Sequence, residues 1–266
     1  MVPFMPLLFQ FLLVLLCIHS STAADFIYGI CDNDTVRDTT FYSILNILLP
    51  YLPSNASSSS NYYDTSAGEE SGSKVYVQAL CRGDVNASAC NNCLQSLTTR
   101  DMNRCPDAND ATIFYELCQV RYSTKNFFST MDYAGKFPNW NTSKQDAVDR
   151  EEFKEKLNDL FTRLSERAIK DRSRFAADEG RGIGKDSVTL YGLAQCTKDL
   201  SRDSCRKCLS NAKGDIIGSF DTDGYSGRIL FAQSCSMRYE LYQFFAQVRT
   251  NGKYLKHVLI FYFVKE

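Results

Sequence analysis

One cysteine pattern occurs twice in this chain, and it constrains the fold more than any other feature. The first copy reads VYVQALCRGDVNASACNNCLQSL from Val75, and the second reads LYGLAQCTKDLSRDSCRKCLSNA from Leu190. Both hold Cys-x8-Cys-x2-Cys, as Cys81, Cys90 and Cys93 and then as Cys196, Cys205 and Cys208. Each copy closes on a cysteine in an aromatic stretch, Cys118 in FYELCQVRY and Cys235 in LFAQSCSMRYELYQFF. The matched cysteines lie 115 to 117 residues apart, so the chain reads as two copies of one cysteine-stapled domain.

The first copy has two extra cysteines, Cys31 and Cys105, and the second has no counterpart to either. Two absences together keep the parity even, and the simplest account is one bridge present in the first domain and missing from the second. Counting alone leaves the remaining connectivity open, since six cysteines allow fifteen pairings and four allow three.

An oxidising destination is expected from the N-terminus. An apolar run from Leu7 to Ile18 ends in small residues, with Thr22 and Ala24 where a signal peptidase reads, so residues 1–24 are expected to be a cleaved signal peptide. Cys17 leaves with it, and the ten remaining cysteines are expected to form five disulfides. The remaining 242 residues suit two domains, expected at 25–132 and 143–250. Between them, 133–142 is expected to be a linker, and 251–266 an atypical tail. Four sequons are candidate glycosylation sites: Asn33, Asn55, Asn86 and Asn141. The longest later apolar run, Val258 to Val264, is far short of the twenty or so residues of a spanning helix, so no membrane span is expected in the mature chain.

Periodicity supplies the scaffold. Thr35 to Leu49 reads as a helix with Phe41, Ile44, Leu45 and Leu48 on one face, stopped by Pro50. Asp146 to Arg172 reads as a longer amphipathic helix with a stripe of Phe153, Leu157, Leu160, Phe161, Leu164 and Ala168. A second helix follows each middle cysteine, with Ser88 and Ser201 as N-caps. The segments VYVQAL, TIFYEL, LYGLAQ, RILFAQ and ELYQFF read as strands, and Tyr51 to Ser73 as a long exposed loop or a loosely paired hairpin. The expected class is α+β: two tandem domains, each with two helices on one face of an antiparallel sheet.

Catalytic chemistry finds little purchase. His257, in the tail, is the one histidine of the mature chain, so Ser/His/Asp or Cys/His catalysis would run through it alone. The CxxC pairs Cys90–Cys93 and Cys205–Cys208 each have cysteine neighbours up- and downstream to absorb them, which favours structural disulfides over a redox or zinc site. Gly180-Arg-Gly-Ile-Gly-Lys reads as a turn before a strand rather than a phosphate loop. A net charge of −1 gives no basic field for nucleic acid. No enzyme activity, metal or cofactor is expected.

The Cys-x8-Cys-x2-Cys element with its Val-Tyr or Tyr-Gly lead-in, and the closing Cys-x-x-Arg-Tyr-Glu, resemble the ginkbilobin-homologous, salt-stress/antifungal domain of land plants. Two such domains behind a signal peptide resemble a cysteine-rich repeat secretory protein. They also resemble the ectodomain of a cysteine-rich receptor-like kinase or of a plasmodesmata-located protein. The resemblance implies two helices against a sheet of about five strands, and the pairs Cys31–Cys105, Cys81–Cys90, Cys93–Cys118, Cys196–Cys205 and Cys208–Cys235. It implies a secreted, apoplastic, non-enzymatic protein of stress or defence that binds a cell-wall or microbial glycan or a receptor ectodomain. A truncated receptor ectodomain and a mannose-binding antifungal lectin are the alternatives.

Some relatives hold mannose with an Asn just after the first cysteine, an Arg six residues before the last, and a Glu five after it. In the first domain Asp32, Thr112 and Ser123 stand at these positions, and none matches. In the second, Glu240 fits while Arg228 is displaced by one, with Ile229 in the expected place. An offset of one residue turns a strand side chain to the opposite face unless a bulge intervenes, so weak mannose binding is expected.

Overall fold

The computed structural model describes residues 26–32, 38–69, 74–140, 149–180, 182–184, 188–218 and 227–246. The expected signal peptide, the tail and the sequons at Asn33 and Asn141 lie outside the described residues. The chain divides into two compact units, one formed by residues up to Cys81 with Ala87–Asn126, the other by Arg82–Asn86 with the residues from Phe127 onward.

The first unit contains a five-stranded antiparallel sheet: β1 (Phe26–Cys31), β2 (Tyr62–Ala67), β3 (Val75–Cys81), β4 (Asp110–Tyr115) and β5 (Cys118–Ser123), in the order β1-β4-β5-β3-β2. Its helices are α1 (Thr39–Leu48), α2 (Leu52–Ser58) and α3 (Ala87–Ser96), the last extended by a π turn over Leu97–Asp101. Asp38 caps α1 by accepting from the Thr40 N–H at 2.9 Å. Phe41, Leu45 and Leu52 of the helices are buried, as are Ile113, Val120 and Tyr122 of the sheet, and the Phe41 and Tyr122 rings lie 5.9 Å apart.

Pro50 does not end this helical segment. It sits in a single 3-10 turn, Leu49–Tyr51, after which the chain resumes as α2. Proline cannot supply an N–H but suits the first turn of a helix, so the chain bends and restarts there. The serine-rich stretch expected to be a loop or a loosely paired hairpin is helix in its first part and a hairpin strand in its second. Ser54, Ser57 and Ser58 return their hydroxyls to helix carbonyls, and Ser60 and Asn61 take positive φ to turn the chain into β2. Strand β2 then pairs with β3 from Tyr62↔Leu80 to Ala67↔Val75. At α3, which begins at Ala87, Ser88 lies inside the first turn rather than at the cap.

The second unit repeats the plan with β6 (Phe137–Trp140), β7 (Phe175–Glu179), β8 (Tyr191–Cys196), β9 (Gly227–Phe231) and β10 (Cys235–Glu240), in the order β6-β9-β10-β8-β7. Strand β6 falls inside the segment expected to be linker and pairs with β9. Helix α4 (Arg150–Lys170) is unbroken and capped by Asp149, which accepts from Glu151 and Glu152 N–H groups. Glu151 and Glu152 in its first turn and Arg167 and Lys170 in its last complement the helix dipole. Its whole expected stripe is buried, with Phe153 and Phe161 against Tyr239 at 5.8 and 6.2 Å between ring centres. Helix α5 (Arg202–Gly218) is capped by Ser201, whose Oγ accepts from the Ser204 N–H at 3.1 Å.

Two segments differ from expectation here. ELYQFF is not a strand: β10 ends at Glu240, and Leu241–Ala246 is irregular. The glycine-rich segment after Gly180 follows strand β7 as well as preceding β8. The next described element is the antiparallel strand β8 and not a helix, whereas a phosphate loop opens onto a helix N-terminus.

Candidate functional site

The CxxC pairs are spent on scaffolding. On α3, Cys90 bonds to Cys81 and Cys93 to Cys118, and these two strand cysteines face each other in the β3–β5 register. Helix α5 repeats the arrangement, with Cys205 bonded to Cys196, Cys208 bonded to Cys235, and Cys196 paired opposite Cys235. Each helix is thus riveted to two neighbouring strands at one level of the sheet. Cys31–Cys105 is the fifth bridge and spans 74 positions. All ten cysteines from Cys31 onward are disulfide-bonded, which leaves none of them to act as a redox nucleophile or thiolate ligand. Among the described residues no group of His, Cys, Asp and Glu could hold a metal ion.

The sheet position singled out in sequence comes apart. Strands β9 and β10 pair without interruption from Phe231↔Ser236 to Gly227↔Glu240, so no bulge restores the offset of Arg228. Arg228 stands opposite Tyr239, which points into the core under the helices, and its Nη1 donates to the Ile216 carbonyl in the last turn of α5 at 3.2 Å. Glu240 lies on the other face beside Gly227, where a Cβ on Gly227 would meet its carboxylate oxygen at 1.7 Å. The Arg238 Nε donates to Glu240 Oε1 at 2.9 Å, and the Arg238 guanidinium lies 4.2 Å from the Phe244 ring centre. Both Arg228 and Glu240 are buried, 4% and 6% exposed, so neither presents a free fork to a sugar.

Asp32 is exposed at the end of β1, with its N–H donating to the Asp110 carbonyl at 2.9 Å. Thr112 is buried, and Ser123 donates to Asp110 Oδ2 at 2.7 Å. Of the sequons within the described residues, Asn86 is exposed immediately before α3, and Asn55 is half-buried on α2, its amide donating to the Tyr51 carbonyl at 2.9 Å.

The first unit also has a polar cluster that sequence reading did not single out. The Tyr115 hydroxyl donates to the Asp101 carboxylate, which also accepts from Arg104 Nε at 2.7 Å. Burial, and then the bond to Asp101, push the Tyr115 phenol up to about 12. For Asp101, burial opposes the charge, but the hydrogen bonds from Tyr115 and Arg104 outweigh it and hold the carboxyl below its ordinary value. The cluster ties the π turn after α3 to strand β4.

Above the same sheet, a groove of about 410 Å³ separates the α1–α2 segment from α3 and its π turn. Asn46, Ser54, Asn91, Gln95, Thr98 and Thr99 are among its lining residues, and none of the lining residues is charged. The readable signals were the two prolines that bend one wall, and a polar stripe at i, i+4, i+7 and i+8 along the other.

Comparison with known proteins agrees with this architecture. The family described as "Salt stress response/antifungal" matches residues 30–125 and 139–242. The "Antimicrobial ginkbilobin-2-like protein" of Castanea crenata is 35% identical over 88% of this chain and 95% of its own length. "Cysteine-rich repeat secretory protein 55" of Arabidopsis thaliana is 32% identical over 88% of each chain. "Cysteine-rich receptor-like protein kinase 6" of Oryza sativa is 36% identical over 79% of this chain, which spans 30% of that kinase. The crystal structure of the tandem DUF26 ectodomain of the A. thaliana cysteine-rich receptor-like protein PDLP8 superposes with a TM-score of 0.68 at 23% identity, covering 82% of this chain and 98% of that one. Doubled cysteine frame, doubled five-stranded sheet and doubled family match lead to one conclusion: the chain belongs to the salt stress response/antifungal family, as a tandem of two of its domains.

Proposed function

We propose that this is an extracellular, non-catalytic recognition protein of plant stress or defence, which works by holding a glycan or a partner ectodomain. The observation that carries the reading is the end-to-end alignment with the antimicrobial ginkbilobin-2-like protein, over 95% of that protein's length. The chemistry of the chain is consistent with it. Five disulfides call for an oxidising compartment, and the exposed Asn86 sequon suits a glycoprotein on that route. Among the described residues no helix is long and apolar enough to cross a membrane.

The receptor-ectodomain reading has its own support in the match to the rice receptor-like kinase, which falls within 30% of that protein's length. Against a mannose lectin built on Arg228 and Glu240 stands the placement of the two side chains on opposite faces of their sheet.

Probing an array of cell-wall and fungal glycans, and a panel of immobilised plant ectodomains, with the oxidised protein tests the proposal. Saturable binding that disappears on reduction, with the ligand recovered unaltered, is the expected result. Cleavage or other conversion of a glycan, or the absence of binding throughout, would contradict it.

A further inference from the structure

We propose that the groove on the helix layer of the first domain is a binding site for a neutral oligosaccharide. The inference deepens the recognition reading above and rests on it. One wall carries Asn46 from the last turn of α1, Pro50 from the 3-10 turn, and Pro53 and Ser54 from α2. The other carries Asn91 and Gln95 from α3, and Thr98 and Thr99 from the π turn. Single π turns inside helices recur at functional sites, because they displace side chains from the regular helical row.

The hydrogen-bonding capacity of the lining points to polyols. The side-chain amides of Asn46, Asn91 and Gln95 bond to no other described residue. Each offers two N–H donors and a carbonyl acceptor to whatever enters. The hydroxyls are biased the other way. Thr98 Oγ1 donates to the Leu94 carbonyl at 2.9 Å, Thr99 Oγ1 to Gln95 at 2.7 Å and Ser54 Oγ to Tyr51 at 3.3 Å. With their protons committed to the helix backbone, these oxygens face the groove as acceptors. A sugar hydroxyl donates once and accepts elsewhere, and so matches a wall of mixed donors and acceptors. The exposed Pro50 supplies C–H surface for a ring face.

Charge and shape exclude the other candidates. An ionic ligand would lose water and find no countercharge, which is costly. Peptide recognition uses a sheet edge, an aromatic-lined groove or an apolar channel for a helix, and this lining is none of these. Asn91 to Thr99 extends about 12 Å along the helix, the reach of a short oligosaccharide rather than of one monosaccharide.

The second domain is an internal comparison. Counting on from the matched cysteines, Arg206, Ser210, Lys213 and Gly214 stand where the first domain has Asn91, Gln95, Thr98 and Thr99. There α4 is unbroken, Arg206 pairs with Asp203, and Lys213 Nζ donates across to Thr162 Oγ1 of α4 at 3.2 Å. Asn158 of α4 stands where α1 has Asn46, but Pro50, Pro53, Asn91 and Gln95 have no like residue at the matching positions.

The test is a titration of the full oxidised protein with cellotriose, chitotriose and mannotriose, followed by saturation-transfer NMR. A Ser57→Ala background removes the Asn55 sequon on α2, the helix that forms one wall. At least one trisaccharide should bind, and the Asn91→Ala/Gln95→Ala double variant should weaken it tenfold or more with an unchanged melting temperature. An Arg206→Ala/Ser210→Ala variant should leave the affinity unchanged. If a trisaccharide binds and the Asn91/Gln95 pair has no effect, the groove is the wrong site while glycan recognition stands. If none of the three binds, or a peptide binds at these residues instead, the oligosaccharide assignment is overturned, and the ectodomain arm of the wider reading is untouched.

Discussion

Arg228 and Glu240 point to opposite faces of the second sheet, one cross-strand neighbour apart: Arg228 pairs with Tyr239, and Glu240 with Gly227. Arg228 closes the carbonyl end of α5 through Ile216, so its role is structural. Arg228→Ala should destabilise the second domain by about 1–3 kcal/mol, since a charge-assisted hydrogen bond to a buried carbonyl is lost. Chemical denaturation followed by a probe in that domain reads it. A change within about 0.5 kcal/mol would show that the contact contributes nothing.

Gly192 faces α4 from strand β8, and a Cβ there would meet Leu164 Cδ1 at 2.9 Å and Leu160 Cδ2 at 3.0 Å. Both leucines are fully buried and cannot swing into open space. Gly192→Ala is therefore expected to cost about 1–3 kcal/mol through overpacking. Gly214 meets nothing within 4 Å, so Gly214→Ala should not destabilise and is the matched control. Equal melting temperatures for the two variants would refute the close packing of α4 on β8.

How much of this was readable beforehand differs between the domains. The buried stripe of α4 was legible because six apolar residues fall at helical spacing against a charged background, and nothing interrupts them. Strands β3, β4, β8 and β9 were legible from their β-branched and aromatic runs. Strand β2 was not. Its sequence, YYDTSA, is half polar because it pairs on one side only, at the sheet edge. The helix α2 before it was hidden by Pro50, Pro53 and a serine run, since propensity opposes a helix that packing of Leu52 and Ala56 stabilises. The groove went unseen for the same reason, because one of its walls is that segment.

Asp101 links the first domain's stability to pH. Its carboxyl sits below the ordinary value, so its contribution is present above the unfolded pKa near 4 and is lost as pH falls through the folded one. Asp101→Asn should cost about 1–2 kcal/mol at neutral pH. The gap to the parent protein should narrow as pH falls through the folded carboxyl's lowered value and the parent's side chain becomes neutral as well. A gap that stays constant throughout that fall would assign the loss to shape and not to charge.

The Cys31–Cys105 bridge closes the longest loop in the first domain, and its second-domain counterpart is absent. In the chain-entropy treatment a loop of this size is worth about 4 kcal/mol. Cys31→Ser and Cys105→Ser should each lower the stability of the first domain only. The double variant should cost no more than the worse single, because one bridge is lost in all three. Additive losses would mean the two cysteines act separately.

The most direct test of the account is a mannose titration of the oxidised protein, repeated on Glu240→Gln. A sheet that keeps Arg228 and Glu240 on opposite faces predicts a dissociation constant above about 1 mM, unchanged by the substitution. Micromolar binding that Glu240→Gln abolishes would contradict it and establish a working mannose site on the second sheet.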